Sequence, residues 1–352
     1  MDKVEYALSQ RPANVSHNFS FYGDDPYYGK SPPLWVMQIF MPTFFSVVCV
    51  TGLIGNGIVI YILLKYASPK TVPNVFILNL AAADFLFLLG LPFITYTYTR
   101  RPWIFGNIVC KCVMGLDGMN MFTGIFTLTA MSVDRYLAIV RVVWSQNNRT
   151  LNKARLVCAL LWLLSIAVTM PLWVYATVGR FDNNTIKCTV QWSEPLVKTF
   201  GVYSFFLGFA LPIAIIILCY ASILVSLARC PKTTSLKKRS QFGKVGILVL
   251  LAVALFIVCW LPFWISQLSL LSGSQSFAIQ MLYLCSPCLT YANCCLNPLI
   301  YTYVRNDFRK YLKQACCFSF CLAFRRETSK RFSSRSGSTY ESALSMKVAT
   351  QL

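Results

Sequence analysis

Seven apolar runs, separated by clusters of charged residues, Pro or Gly, constrain the fold of this chain more than any other feature. Each run is at least as long as the roughly 20 mostly apolar residues that a helix needs to cross a bilayer. The chain is 56% hydrophobic and only 12% charged, which is too apolar to cover a surface that faces water. The sequence therefore predicts an all-α membrane protein, a seven-transmembrane helix bundle. The predicted spans are about residues 35–64, 74–97, 111–140, 156–177, 199–227, 245–271 and 277–303.

The basic residues predict the orientation of these spans. If the N-terminus lies outside, most of the 32 Lys and Arg residues fall in the inner loops and the C-terminal tail. Cytoplasmic loops carry such an excess, so we expect an extracellular N-terminus and a cytoplasmic C-terminus. The formal net charge of +20 could also indicate nucleic-acid binding. Because nearly all of the excess lies on one side of the membrane, membrane insertion and anionic lipid explain it without nucleic acid.

The segments that flank the spans carry candidate modification sites. Three Asn-X-Ser/Thr sequons lie in parts predicted to be outside, so we expect glycosylation at Asn14, Asn18 and Asn183. A short amphipathic eighth helix is expected after the bundle, and Cys316 and Cys317 at its end are candidate palmitoylation sites. Simple burial of these thiols at the membrane interface is an equal alternative. The predicted segments are an extracellular tail at 1–34, the bundle at 35–304, the amphipathic helix at 305–317 and a disordered cytoplasmic tail at 318–352.

Short motifs occur along the chain in a fixed order, on successive predicted spans. They are Gly55-Asn56, Leu80 to Asp84, Asp134-Arg135-Tyr136, Trp162, Pro212 with Tyr220, Cys259 to Pro262, and Asn297-Pro298 to Tyr301. Each motif alone is a weak signal. Together and in this order they resemble the rhodopsin-like, or class A, G-protein-coupled receptors over roughly residues 35–317. The resemblance implies a multi-pass receptor of the plasma membrane rather than an enzyme.

A closer resemblance begins in the third span. Leu116 to Thr123 is similar to the matching stretch of somatostatin receptors, and Val72 to Leu80 and Tyr291 to Asn293 fit the same group of peptide receptors. The resemblance implies a receptor for a cationic, somatostatin-like neuropeptide that activates an inhibitory Gi/o-type G protein and lowers cyclic AMP. Receptors for melanin-concentrating-hormone-like or opioid-like peptides are the alternative, since Pro171 to Ala176 is as similar to the former.

Asp117 is the candidate anchor for the ligand. It lies seven residues after Cys110, about two helical turns below the outer end of the third span. A carboxylate in a low-dielectric cavity needs a cation, and no Lys, Arg or His lies deep in any predicted span. The resemblance assigns that cation to the ligand, and a partner inside the receptor is the alternative. It also implies six further cavity residues: Met121, Trp192, Phe263, Trp264, Gln267 and Tyr291.

The resemblance further implies a disulfide between Cys110 and Cys188, at the top of the third span and in the second outer loop. Both residues face an oxidising compartment in the predicted orientation, so a bridge can form there. Cys112 also lies near the outer face and could compete for Cys188.

A second intramembrane acid, Asp84, implies an allosteric sodium site by the same resemblance. Gly124 and Cys294 stand where relatives usually or often have Ser. Sodium is a hard cation that prefers oxygen ligands, so we expect weaker sodium modulation of agonist affinity than in relatives. We expect no other metal and no cofactor. The helpers of Asp84 are Asn120, Asn293 and Asn297.

An activation switch follows from the resemblance as well. Trp260 lies two residues before Pro262, so a ligand that displaces its ring could tilt the inner half of the sixth span. Arg135 is expected to pair with Asp134 at rest and to be released on opening. The remaining switch residues are Tyr136, Tyr220, Phe256, Asn297, Pro298 and Tyr301.

The expected partners beyond the ligand lie on the inner side. The open inner face would admit a helix of the G protein, and Val142, which stands where relatives have Pro, predicts a more helical second inner loop. The Ser/Thr-rich tail predicts phosphorylation by receptor kinases and binding of arrestin, and a merely solubilising tail is the alternative. The main hypothesis from another functional class is a secondary transporter, but the sequence shows no internal repeat of the kind that such transporters have.

Overall fold

The structure is a computed structural model that describes residues 18–19, 35–66, 71–98, 102–181, 185–229, 232–274, 276–305 and 308–314. Some predicted sites lie outside these residues. They are the sequons at Asn14 and Asn183, the cysteines Cys316 and Cys317, and the Ser/Thr-rich tail.

Long helices joined by short connections make up most of the described chain. Their bounds are α1 Met41–Lys65, α2 Val72–Tyr98, α3 Gly106–Val140, α4 Val142–Asn148, α5 Leu151–Tyr175, α6 Glu194–Phe205, α7 Leu211–Ala228, α8 Lys232–Leu271 and α9 Phe277–Val304. One π-helical turn, Val36–Phe40, leads into α1, and another, Phe206–Ala210, joins α6 and α7 into one continuous helical stretch. A further helical segment covers residues 308–314.

Six of these helical stretches are long and apolar enough to cross a membrane. They are Gln38–Lys65, Val72–Thr97, Gly106–Val140, Leu151–Tyr175, Glu194–Ala228 and Val245–Leu271. With 28 residues, α9 also has the length of a span. Its polar residues Ser286, Thr290 and Asn297 are buried in the bundle and so face the protein.

A small antiparallel sheet lies at one end of the bundle. Strand β2, Ala176–Phe181, pairs with β3, Thr185–Gln191, and both are rich in β-branched residues. The short strand β1, Asn18–Phe19, pairs with the other edge of β3, so that the strand order is β1-β3-β2. The apolar runs that predicted the helices carried no signal for this sheet, because it lies between two spans.

The two ends of the bundle differ in their chemistry. The disulfide end carries the bond between Cys110 and Cys188, whose Cα atoms are 5.6 Å apart and which ties β3 to the first turns of α3. The Arg135 end is the opposite one, where α3 finishes shortly after Asp134 and Arg135.

Buried polar side chains connect the helices near the middle of the bundle. Asn79 on α2 donates to the Thr127 hydroxyl at 2.9 Å and accepts the indole N–H of Trp162 at 2.9 Å, which joins α2, α3 and α5. Asn56 on α1 donates to the backbone carbonyl of Cys294 on α9 at 2.9 Å. Because no water reaches the hydrocarbon core, such contacts both satisfy the polar groups and fix the helix register.

Two glycines let α3 lie close against α5. A Cβ atom at Gly115 would overlap the Trp173 ring, and one at Gly118 would overlap the Leu172 side chain. Small residues at such a contact allow the backbones to approach closely. The approach holds the segment of α3 that contains Asp117 within the bundle.

Candidate functional site

A cavity of about 50 Å³ lies between α3, α6, α8 and α9 toward the disulfide end. All seven residues predicted to contact the ligand line this cavity: Asp117, Met121, Trp192, Phe263, Trp264, Gln267 and Tyr291. Its volume is far below the roughly 300–1,000 Å³ of typical ligand pockets. The lining side chains must therefore move apart before a bulky ligand side chain can enter.

Helix periodicity explains why these residues meet. Residues four apart lie on the same face of a helix, one turn above each other. Three helices each contribute such a pair to the cavity. The pairs are Asp117 with Met121 on α3, Phe263 with Gln267 on α8, and Pro287 with Tyr291 on α9.

Asp117 has one polar partner of its own among the described residues, the hydroxyl of Tyr291. That hydroxyl donates to Asp117 Oδ1 at 3.2 Å. No ion pair joins Asp117 to a Lys or Arg in the part of the chain that the structure describes. A neutral hydroxyl offsets little of the cost of holding a carboxylate among apolar groups such as Phe122 and Leu172. Among the described residues, the arrangement therefore supplies no counter-ion for this carboxyl group.

The cavity also has walls that sequence reasoning missed. Phe200 on α6 lies with its ring centroid 4.8 Å from that of Trp192, and Thr290 and Pro287 complete the wall formed by α9. The last two could have been found, because Pro287 lies four residues before Tyr291 on the same helix face and Thr290 lies three residues after Pro287. Phe200 belongs to an apolar run and has no local signal that distinguishes it from a residue facing lipid.

An aromatic column runs from the cavity along the part of α8 that contains Pro262. Phe263 lines the cavity and meets Trp260 edge-on at 5.7 Å between ring centroids. Trp260 in turn stacks on Phe256, again at 5.7 Å. Pro262 lies inside α8, where it removes one backbone hydrogen bond and weakens the helix locally. A displacement of the Trp260 ring therefore acts directly beside the weakest point of the helix.

A second polar cluster surrounds Asp84 below the cavity. Asn297 donates to Asp84 Oδ2 at 2.9 Å, and the thiol of Cys294 also contacts the Asp84 carboxylate. Asn120 donates to Cys294 Sγ at 3.2 Å, and the amide oxygens of Asn120 and Asn297 are buried without a partner among the described residues. No hydrogen bond links Asn293 to this cluster in the described structure. A carboxylate and two spare amide oxygens fit a sodium ion, whereas the central thiol does not.

Gly124 leaves room beside this cluster. A Cβ atom at this position would meet nothing nearer than Leu80 Cδ1 at 4.0 Å. Crowding therefore does not account for the absence of a side chain at this position.

At the Arg135 end, the predicted ion pair is present. Arg135 donates to Asp134, with its Nε 3.1 Å from Asp134 Oδ2, and both side chains are buried. Tyr220 on α7 donates through its hydroxyl to the Gly246 carbonyl on α8 at 3.2 Å. Tyr301 on α9 is 1% exposed. The Tyr220 contact joins α7 to α8 at this end, whereas the Asp134–Arg135 pair lies within α3.

The other predicted switch residues lie along α3 and α9. Tyr136 follows Arg135 and is half-buried. Pro298 lies inside α9 with its ring against α1, where a Cβ at Gly55 would come within 3.2 Å of it. Asn297, one residue earlier, reaches Asp84 and so connects the switch with the polar cluster.

Arg149 is a contact of the switch that sequence reasoning did not single out. Its Nε lies 2.5 Å from Asp134 Oδ1 and its Nη2 lies 2.9 Å from Asp134 Oδ2. The short helix α4 returns the chain so that Arg149, directly before α5, reaches the acid at the end of α3. Asp134 therefore holds two guanidinium groups. No local pattern marks the second, because the two residues are fifteen positions apart.

The disulfide end resolves one alternative. Cys188 pairs with Cys110, and Cys112 is an exposed free cysteine on α3. The bond holds β3 above α3, and Trp192, four residues after Cys188, then reaches the cavity. The hairpin thus contributes a wall of the cavity.

Comparison with known proteins places the chain in a class. Residues 55–301 match the family described as 7 transmembrane receptor (rhodopsin family). The chain therefore belongs to the rhodopsin family of seven-transmembrane receptors, which are signalling receptors of the membrane and not enzymes. This membership confirms the predicted seven-helix membrane fold.

Somatostatin receptors are similar to this chain over most of its length. Somatostatin receptor type 2 of Mus musculus is 38% identical over 299 residues, which cover 83% of this chain and 80% of the relative. Type 5 of Bos taurus is 39% identical over 295 residues, with 82% and 79% covered. Type 4 of Rattus norvegicus is 37% identical over 282 residues, with 79% and 73% covered. The resemblance to somatostatin receptors that the motifs indicated is thus confirmed.

Proposed function

We propose that this chain is a cell-surface receptor for a cationic peptide of the somatostatin type, and that it activates an inhibitory Gi/o-type G protein and so lowers cyclic AMP. The similarity to somatostatin receptors supports the peptide class. The observation that carries the proposal is the carboxylate of Asp117, which lines the cavity with Tyr291 as its one described partner and without a cation.

In this proposal the basic side chain of the peptide pairs with Asp117. An amine or guanidinium would enter between Asp117 and Gln267, while an adjacent aromatic side chain of the peptide would pack among Phe200, Phe263 and Trp264. The charge of Asp117 supplies specificity, because an uncharged peptide leaves the carboxylate buried without a counter-ion.

The first experiment measures inhibition of cyclic AMP formation in cells that express the chain, with somatostatin-like, opioid-like and melanin-concentrating-hormone-like peptides at matched concentrations. We expect the somatostatin-like peptides to be the most potent. A second step replaces the basic residue of the active peptide by an uncharged isostere, against both the wild type and Asp117→Asn. The isostere should lose potency on the wild type and lose little more on the variant, since both changes remove the same contact. Fully additive losses would contradict the pairing.

We further propose that the disulfide end faces outward and the Arg135 end faces the cytoplasm. An epitope fused to the N-terminus should then be labelled on intact cells, and one fused to the C-terminus only after permeabilisation. Glycans at Asn14, Asn18 and Asn183 would also indicate that these segments are extracellular. Enzymatic removal of N-linked glycans should then lower the apparent mass of the protein.

The inner side of the receptor carries the remaining proposals. Opening of the Arg135 end would admit the G protein, the Ser/Thr-rich tail would recruit receptor kinases and arrestin, and Cys316 and Cys317 would carry palmitate. Metabolic labelling with a palmitate analogue should be lost when both cysteines are changed to Ser.

A further inference from the structure

A second cavity, of about 430 Å³, lies at the Arg135 end, on the perimeter of the bundle between α2, α3, α4 and α5. Its volume is several times that of the ligand cavity. Two of its lining residues, Trp144 and Leu164, are about half exposed, so the cavity is a groove that opens toward the surroundings of the bundle. In a membrane protein those surroundings are lipid.

Polarity changes along this groove. Its mouth contains Lys153, Arg149 and Trp144, and the wall farther along is formed by apolar residues such as Val157 and Leu164. Lys153 and Leu164 are eleven residues apart on α5, or about 16 Å along the helix. That distance is about half of the roughly 30 Å hydrocarbon core. The groove therefore extends from the depth of the lipid headgroups to near the middle of the bilayer.

The charges at the mouth favour an anionic headgroup. The charged residues that line the groove are Arg149, Lys153 and Asp134, which leave a net positive charge. Lys153 is exposed and donates to Asn148 Oδ1 at 3.1 Å, so its ammonium group is held at the entrance. Trp144 has the amphipathic ring that is common at the headgroup level. A sterol offers one neutral hydroxyl and makes no use of these cations.

We propose that this groove binds one anionic glycerophospholipid. An acyl chain of the lipid lies along α5, and the lipid phosphate lies at Lys153. There the phosphate competes with the Asp134 carboxylate for the Arg149 guanidinium. The proposal rests on the proposed orientation of the bundle, because anionic lipids are concentrated in the cytoplasmic leaflet. Arg149 can serve both partners, since its side chain lines the groove and is 28% exposed while it contacts Asp134. Bound lipid would thus weaken one of the two contacts that restrain Asp134.

The first test measures lipid retention. The purified full chain is reconstituted into nanodiscs of phosphatidylcholine with a minor share of phosphatidylglycerol, extracted, and analysed by native mass spectrometry. One retained phosphatidylglycerol is expected on the wild type. Lys153→Ala should reduce retention about fivefold, the loss expected for one lysine near an anionic headgroup. Ala130→Leu, which fills the half-buried wall of the groove, should also reduce it.

Two control variants separate a built site from general attraction. Arg155 is an exposed cation and Ala159 an exposed alanine on α5, and neither lines the groove. Arg155→Ala and Ala159→Leu should therefore retain the lipid as the wild type does. Equal losses for Lys153→Ala and Arg155→Ala, unchanged retention in Ala130→Leu, or retention of added cholesterol in place of phosphatidylglycerol would each overturn the proposal.

The second test addresses the competition for Arg149. Basal nucleotide exchange by a purified inhibitory G protein is measured with the receptor in nanodiscs with and without phosphatidylglycerol. The anionic lipid should raise exchange for the wild type and for Ala159→Leu, but not for Ala130→Leu. An equal response of all three would contradict the competition, while the retention result would still decide whether the groove is a lipid site. Failure of the peptide assay would leave the retention result unaffected.

Discussion

Two aspartates on the same helix, Asp117 and Asp134, differ in how their charge is met. Asp117 faces the cavity at the disulfide end and accepts a hydrogen bond from one neutral hydroxyl, that of Tyr291. Asp134, four to five turns farther along α3, is paired with two guanidinium groups, those of Arg135 and Arg149. One acid therefore lacks a cation in the described structure, and the other has two.

The difference shows how one residue type can serve two purposes in a low-dielectric bundle. A buried carboxylate without a counter-ion is costly, and a ligand that brings the missing cation recovers that cost as binding affinity. A carboxylate that is already paired has no affinity to gain from outside, but it can restrain the element that supplies its partner. Asp117 is therefore suited to recognition and Asp134 to restraint.

Replacing each of the two aspartates by asparagine should give the largest effects that this comparison predicts. Asp117→Asn should lower agonist potency about 30-fold or more, because truncating one partner of a buried charge pair costs about 2–5 kcal/mol. Its basal signalling should stay near that of the wild type. Potency and basal activity are read from cyclic AMP, with surface expression measured in parallel.

Asp134→Asn is the matched variant on the same helix. It should change agonist potency much less and raise basal signalling, because Arg135 and Arg149 lose their common acceptor. A comparable loss of potency in both variants, at equal surface expression, would mean that the two acids are not divided in this way.

Trp260→Leu tests the connection between the two ends. The ring lies between Phe263 at the cavity and Phe256 one turn deeper, so its loss should shift the active equilibrium about tenfold toward rest. The maximal response should fall while agonist affinity falls less. Trp264→Leu is the comparison variant, since Trp264 also lines the cavity and meets Phe263 but lies off the Trp260–Phe256 stack and packs against Phe205 on the neighbouring span. If both variants lose affinity and keep full response, the aromatic column does not carry the signal.

Arg149→Ala sharpens the comparison at the Arg135 end. The pair with Asp134 is partly exposed, with 28% of the Arg149 side chain accessible, and such pairs contribute about 0.2–1 kcal/mol. Basal nucleotide exchange should therefore rise between about 1.4-fold and fivefold. Arg155→Ala removes an exposed cation from the same helix and should leave exchange unchanged. A lower basal rate in Arg149→Ala would show that Arg149 supports the active state instead.

The two acids also show how far the sequence alone could reach. Asp117 was predictable, because helix periodicity and the scarcity of intramembrane cations apply within one segment. The other six predicted cavity residues followed from the resemblance to a known family, and all of them line the cavity. Arg149 and Phe200 were not predictable, since the contact of Arg149 depends on how α4 returns the chain and that of Phe200 on where the hairpin places Trp192. The hairpin was missed for a related reason, because a short sheet outside the membrane leaves no long apolar run.

The smallest expected effect concerns the third intramembrane acid, Asp84. The compensation of its charge is intermediate between that of Asp117 and that of Asp134. Asn297 and Cys294 contact it, and two spare amide oxygens lie nearby, so its charge is partly met and its cation would be small and weakly held. The double variant Gly124→Ser with Cys294→Ser adds two hydroxyl ligands, and the space at Gly124 accepts the first. Sodium chloride should then lower agonist affinity several-fold more than in the wild type, measured against an equal concentration of a chloride salt with a large organic cation.

The matched control for the sodium experiment keeps the same chemical changes but moves them away from Asp84. Gly90 on α2 has open space for a Cβ, and Cys158 is a buried cysteine on α5. Gly90→Ser with Cys158→Ser should leave the sodium response at the wild-type level. The opposite result would be a large sodium-dependent fall in agonist affinity in the wild type, with no further fall in the double variant. That result would mean that the Cys294 thiol does not weaken the sodium site. Asp84 would then resemble Asp117, whose cation comes from outside the protein.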